Sequence, residues 1–153
     1  MSFCVYEMSR GCESVPDTDI ICVPLDEKYI VQYKEQYNLA FYPMRKALNI
    51  RPYNWYNDYG PILEKASDIY IFTRGNELVG SVACYGNEID DLFVSESNLR
   101  HGYGRKLLIW ALNQIASRGY KKCVVHVAEW NQGAVRMYLN EGFEIVKKEI
   151  ISI

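Results

Sequence analysis

The sequence predicts a mixed α/β fold of the α+β kind: a mainly antiparallel sheet containing one parallel strand pair, flanked by helices. Three features carry that expectation. Residues 68–94 hold three strand-like runs separated by the turn pairs Gly75-Asn76 and Gly86-Asn87, the pattern of an antiparallel meander. Residues 104–118 place Leu107, Leu108, Ala111, Leu112 and Ile115 on one helical face. The apolar run KCVVHVA at 122–128 follows, so 88–127 reads as a strand–helix–strand crossover. If both strands share a sheet, they run parallel and the connection is right-handed.

Length and charge bound the answer. A chain of 153 residues and 17.8 kDa suits one domain, 1–153, able to bury roughly 70% of its unfolded surface. With 49% hydrophobic residues, and 17 basic against 19 acidic side chains, the composition is not that of a disordered chain. A net charge of −2 lacks the basic excess of a dedicated nucleic-acid binder. No apolar run approaches the ~20 residues of a membrane span. Met1–Arg10 contains Glu7 and lacks the charged-then-apolar order of a signal peptide. The five cysteines are odd in number and show no CxxC spacing, which fits buried thiols in a reducing compartment and a cytoplasmic protein. His101 and His126 are the only histidines, so no metal site is expected.

The elements follow in order. Residues 1–19 read either as an N-terminal arm or, through FCVYEM, as a first strand. IICVPL at 20–25 reads as a short strand closed by Pro24, and Asp26 as the cap of a helix that carries Tyr29, Ile30, Tyr33, Tyr37, Ala40 and Phe41. Pro43 is expected to interrupt it, with a second helical stretch over Met44, Ala47 and Leu48 that Pro52 ends. RPYNWYNDYGP at 51–61 reads as a loop. The strands DIYIFTR (68–74), LVGSVACY (78–85) and EIDDLFV (88–94) come next, then the helix closed by Arg118-Gly119. After strand 122–128, Asn131 caps a helix to about Asn140, Gly142 ends it, and FEIVKKEIISI (143–153) is the last strand.

The sharpest local feature is the passage from Leu92-Phe93-Val94 through Leu99-Arg100-His101-Gly102-Tyr103-Gly104-Arg105 into the helix. Gly102 and Gly104 admit backbone conformations and close approaches that other residues do not. The first N–H groups of the helix have no internal partner and point outward, and with the helix dipole they suit a phosphate or pyrophosphate. Arg100 and Arg105 add positive charge. A P-loop is excluded because GxxxxGK[ST] is absent, and the dinucleotide fingerprint fails because Leu107 stands where the third glycine belongs.

Val94, Leu99, Gly102 and Gly104 occupy the positions of the pyrophosphate motif Gln/Arg-x-x-Gly-x-Gly/Ala without a gap, with Leu99 departing from the usual Gln or Arg and Arg100 one residue late. Asn131, Ala134, Tyr138, Gly142 and Phe143 match the pattern N-x-x-A-x-x-x-Y-x-x-x-G-F. In these two blocks, which span 88–143, the sequence resembles the GNAT superfamily of N-acetyltransferases. Residues 1–87 carry no such signature beyond their element order.

The resemblance implies an acyl-CoA-binding core over 88–143, with acetyl-CoA as co-substrate, no metal, and strands 88–94 and 122–128 splayed apart at their ends. The backbone of Leu92, Phe93 and Val94 would pair with the pantetheine arm, and the Leu92 N–H would meet the thioester carbonyl. Leu99, Arg100, His101, Gly102, Tyr103, Gly104 and Arg105 would hold the pyrophosphate. Asn131 is a good helix cap and, by family position, also a pantetheine ligand. Tyr138 would protonate the departing thiolate.

An alkylammonium with a pKa near ~10 must lose a proton before it attacks. Glu88 resembles the glutamate base of the histone-acetyltransferase branch. His126 stands where the ribosomal-protein alanine acetyltransferase branch carries a glutamate. Asp90 and Asp91 would instead attract a cationic amine, as would the loop bearing Trp55, Tyr56, Asp58 and Tyr59. The expected reaction is acetyl transfer to a small-molecule or peptide primary amine by direct attack in a ternary complex. The alternatives are a non-catalytic acyl-CoA sensor and an interaction module exposing the YNWYNDY aromatics. No nucleic acid or membrane partner is expected, and a homodimer is compatible with the sequence.

Overall fold

The computed structural model describes residues 1–152; Ile153, the last residue of the expected strand 143–153, lies outside them. The strands are β1 (Ser2–Gly11), β2 (Val23–Pro24), β3 (Ile69–Arg74), β4 (Glu77–Tyr85), β5 (Glu88–Val94), β6 (Lys122–Ala128) and β7 (Glu144–Ser152). They form one seven-stranded sheet in the order β2-β3-β4-β5-β6-β1-β7. Every pair is antiparallel except β5–β6. The meander runs where its turn residues place it, Gly75 and Gly86 taking the left-handed conformations (φ 63° and 61°) that the hairpin turns require. The mixed α/β sheet with one parallel pair is therefore the observed architecture.

The helices are α1 (Ile30–Ala47), α2 (Gly60–Lys65), α3 (Tyr103–Ser117) and α4 (Gln132–Asn140). They split the core into two layers. On one face α3 and α4 bury Leu107, Leu108, Leu112, Ile115, Val135 and Tyr138 against Val82, Cys84, Ile89 and Val125. On the other, α1 and α2 bury Tyr33, Tyr37 and Ile62 against Ile69, Ile71, Ala83 and Phe93.

Three local expectations change, and at the N-terminus one of the two readings holds. Of residues 20–25 only Val23 and Pro24 form a strand, beside β3, with the Leu25 N–H donating to the Ile69 carbonyl just beyond it; a proline lacks the ladder donor and confines the strand to a sheet edge. Helix α1 passes through Pro43 instead of stopping there. Pro43 is exposed, and burial of Tyr33 and Tyr37 outweighs the one hydrogen bond it removes. Gly60 and Pro61 open α2 rather than closing a loop, proline in the first turn giving up only an N–H that has no intrahelical partner. Finally, the N-terminal segment is a ten-residue strand, β1, inserted between β6 and β7 and paired with both. Residues 12–19 then run along α3, held by Asn113 to the Pro16 carbonyl (2.9 Å) and by a Lys106–Asp19 ion pair (2.9 Å).

Candidate active site

A bulge in β5 builds the site. Between the pairs Ala83↔Asp90 and Ser81↔Phe93, Val82 of β4 opposes both Asp91 and Leu92. Asp91 takes the extra position at φ 48°. The bulge reverses the facing of the strand: Ile89 packs toward α3, yet Phe93, four residues on, packs toward α1. It also carries β5 away from β6, with which it pairs only at Glu88 and Ile89. The splay expected between these strands is thus present, and beyond Ile89 the β5 edge opens into a gap.

Two adjoining cavities meet at this gap. A cleft of about 840 Å³ runs between α1 and β5, lined by Leu92, Phe93, Val94, Leu99, Trp130 and Asn131 among others. A second cavity, about 300 Å³, is lined by Asp90, Asp91, Leu92, His126, Asn131 and Tyr138. Leu92 and Asn131 belong to both. Tyr138 packs in the α3–α4 layer and lines this cavity on the α1 side, so it reaches across the sheet where β5 and β6 have parted. Its side chain is 7% exposed and its hydroxyl makes no hydrogen bond to any described residue. Burial, then the charge of Asp90, raises its pKa, so it holds its proton. Asn131 is the α4 cap, accepting from the Ala134 N–H at 3.2 Å, and lines both cavities as well. The structural and ligand-facing roles read from the sequence are compatible at this one residue.

The other end of the cleft leads to the N-terminus of α3. Gly102 caps that helix at φ 80°, and Lys106 N–H returns to the Gly102 carbonyl, so the preceding N–H groups lie at the open first turn. Arg100 also adopts a left-handed conformation, φ 67°, and is exposed together with His101. The two other side chains expected here are engaged elsewhere: Arg105 pairs with Glu141, and Tyr103 stacks near Phe72 and accepts from Arg74. Gly104 has an ordinary φ, and a Cβ there would meet only Met137 Sδ, at 3.6 Å. The fold does not require glycine at 104.

Glu88 and His126, read as alternative bases, come together. His126 Nδ1 lies 2.6 Å from Glu88 Oε1, and Nε2 lies 3.1 Å from Glu7 Oε1. Partial burial would lower the pKa of His126, but the hydrogen bonds to Glu88 and Glu7 outweigh it and raise the value. The imidazole is therefore biased toward its protonated form. Glu7 was not foreseen: nothing in the sequence announces that β1 lies against β6 with Glu7 opposite His126.

The carboxylates of Asp90 and Asp91 face the same cavity. Loss of hydration raises both, and Asp91, deeper and beside Asp90, is pushed up to about 6. Tyr37 Oη donates to Asp91 Oδ1 at 3.1 Å. Of the 51–59 aromatics expected at the surface, Tyr56 is instead buried against Tyr37 (centroids 4.7 Å apart). Among the described residues no group of three or more His, Cys, Asp and Glu is arranged to hold a metal, and no helix is long and apolar enough to cross a membrane.

The open β5 edge, the elongated cleft and a first helical turn with a non-obligatory glycine fit an acyl-pantetheine arm ending in a pyrophosphate. Comparison with known proteins agrees. A GNAT acetyltransferase from Novosphingobium aromaticivorans superposes with a TM-score of 0.71 at 16% identity, covering 98% of this chain and 63% of that one. One from Colwellia psychrerythraea gives 0.68 at 14% identity, covering 98% and 55%. A GNAT acetyltransferase from Elizabethkingia anophelis with acetyl-CoA bound gives 0.60 at 19% identity, covering 86% and 80%. The chain thus spans only 63% and 55% of the first two. At these identities the likeness is one of fold, and no curated protein matches the sequence. The family model for the acetyltransferase (GNAT) family matches residues 28–143, and the chain belongs to that family.

Proposed function

We propose that the protein transfers an acetyl group from acetyl-CoA to a primary amine, by direct attack in a ternary complex. The observation that carries this reading is Tyr138: a buried side chain whose hydroxyl, bonded to no described residue, reaches across the splayed sheet into a cavity that it shares with Leu92 and Asn131. A module that only bound acyl-CoA would have no use for a proton donor there.

Acetyl-CoA supplies the thioester carbonyl; the chain supplies the rest. Leu92, Phe93 and Val94 offer a strand edge to the pantetheine arm, with Asn131 opposite. Leu92 N–H, at the bulge, stabilises negative charge developing on the carbonyl oxygen. The first turn of α3 and Arg100 take the pyrophosphate. Tyr138 gives its proton to the departing sulfur. Glu88 accepts the proton that the amine must lose, and His126, bridging Glu88 and Glu7, orients its carboxylate. The test is thiol release from acetyl-CoA against a broad panel of primary amines. Failure on every amine, with acetyl-CoA still bound, would replace this reading by the sensor.

A further inference from the structure

We infer that the cavity beside the β5 bulge takes the acceptor as an ammonium cation, Asp91 holding its nitrogen next to Leu92 with Asp90 at the rim. The inference rests on the acyl-transfer reading and adds to it the charge state and class of the acceptor: a primary alkyl- or arylalkylammonium whose substituent carries no negative charge.

The bulge is the first observation. In a regular strand two consecutive carboxylates point to opposite faces. Here the extra residue turns Asp90 and Asp91 into the same cavity. Asp91 accepts a single side-chain hydrogen bond, from Tyr37, which leaves Oδ2 without a partner among the described residues.

The second observation is a set of hydroxyls that the protein leaves unbonded around that carboxylate. Tyr138, 7% exposed, lines the cavity with no hydrogen bond, and the buried hydroxyls of Tyr33 and Tyr85 also have no partner. Asp91 is the charge felt most strongly by both Tyr33 and Tyr85. Of these three hydroxyls, Tyr138's is the one that lines the cavity and that a ligand there can reach.

Nearby cations do not neutralise the pair. Arg45 donates to the carbonyls of Ile50 (3.5 Å) and Pro52 (2.9 Å) and lies over the Trp55 ring. Lys65 lies over the ring of Tyr56. His126 is held between Glu7 and Glu88. None of the three forms an ion pair with Asp90 or Asp91. A primary ammonium has three donors to share between the carboxylates, and the aromatic residues Tyr37 and Phe41, a type that attracts cations, line the cavity. Phe3 and Val5 of β1 and Met44 of α1 give the substituent an apolar wall, while Glu7, Glu88 and Asp90 repel an acidic one.

Asp91 precedes Leu92, so a nitrogen held there sits beside the N–H assigned to the thioester oxygen. The ammonium gives one proton to Glu88. The freed lone pair forms the C–N bond as the C–S bond breaks. Tyr138 protonates the sulfur and recovers a proton from the new amide nitrogen. The raised pKa of Asp91 is consistent with a carboxylate that waits for a cation.

The test uses CoA rather than acetyl-CoA, so that binding is read without turnover. Calorimetry on the protein–CoA complex compares propylammonium, butylammonium and benzylammonium with the alcohols of the same shape. Each cation is expected to bind roughly tenfold or more tightly than its alcohol. Asp91→Asn should erase that preference; asparagine tolerates the left-handed backbone at 91, and Asp91→Gly serves as a second variant free of strain there. With acetyl-CoA, Asp91→Asn should raise the amine KM by a similar factor, change kcat less, and leave the KM for acetyl-CoA unchanged. No cation preference in any of the three pairs, or a preference that survives both substitutions, overturns the inference. Cation binding that depends on Asp91 in a protein that acetylates no amine would support this site while refuting the acyl-transfer reading.

Discussion

His126 Nδ1 and Glu88 Oε1 lie 2.6 Å apart, so the two residues read from the sequence as competing bases form one hydrogen-bonded unit. The link predicts related effects. Glu88→Gln should flatten the acidic limb of the pH–rate profile by removing the acceptor. His126→Gln should shift that limb without abolishing it, because the ring orients and charges the pair. Wild-type profiles in both variants would leave bulk water as the proton sink.

The same unit makes a stability prediction with a definite sign. The folded pKa of His126 is raised, so its contribution is fully present below the unfolded value near ~6.5 and is lost as pH rises through the folded one. The melting temperature of His126→Gln should fall short of wild type most at mildly acidic pH, and the gap should narrow on going alkaline. A gap that widens instead would mean that the imidazole is neutral in the fold.

Asp91 loses stability in the same direction, with rising pH, but there the charged form is the costly one. Its carboxyl is raised to about 6, chiefly by burial, so ionising it costs the folded state as pH climbs from the unfolded value toward 6. Asp91→Asn is expected to melt a few degrees higher than wild type at pH 7, with the gain disappearing below about pH 4. Gained stability alongside lost amine affinity would mark a carboxylate kept for its ligand.

Tyr138→Phe retains the ring that packs 5.5 Å from Phe143 and removes only the hydroxyl. Turnover is expected to drop by roughly 10²-fold, with acetyl-CoA binding intact, the pattern of an interaction made in the transition state. Full turnover in this variant would remove Tyr138 from the chemistry.

Gly104 and Gly102 separate ligand from fold. A Cβ at 104 meets only Met137 Sδ, at 3.6 Å, and Gly104→Val is expected to melt near wild type. It should nevertheless lose the stabilisation that acetyl-CoA confers, about 2.7 kcal/mol at ~100 times the dissociation constant. Gly102→Val, at φ 80°, should lower the melting temperature even without ligand. Equal thermal shifts by acetyl-CoA in wild type and Gly104→Val would place the pyrophosphate elsewhere.

Much of this was legible along the chain. Strands 88–94 and 122–128 have the bounds their residues announce, since turn glycines and runs of branched residues are local signals. Asn131 and the glycines ahead of α3 likewise act through their nearest neighbours. The bulge left one faint mark: strict alternation from Ile89 to Phe93 would bury Asp91 between them, an arrangement a strand avoids unless its register breaks. Pro43 misleads because helix-breaking is a local cost, whereas α1 is held by distant packing of Tyr33 and Tyr37.

By itself, then, the sequence determined the order of elements from residue 68 onward, the parallel crossover, and the family blocks at 99–104 and 131–143. All are matters of spacing within a few residues. Only the tertiary structure decided that β1 lies between β6 and β7, that Glu7 completes the His126–Glu88 pair, and that Asp91 meets the hydroxyl of Tyr37. Those contacts join residues 119, 38 and 54 positions apart. Strand pairing across such distances is selected by which faces must be buried together, and no local pattern encodes that choice.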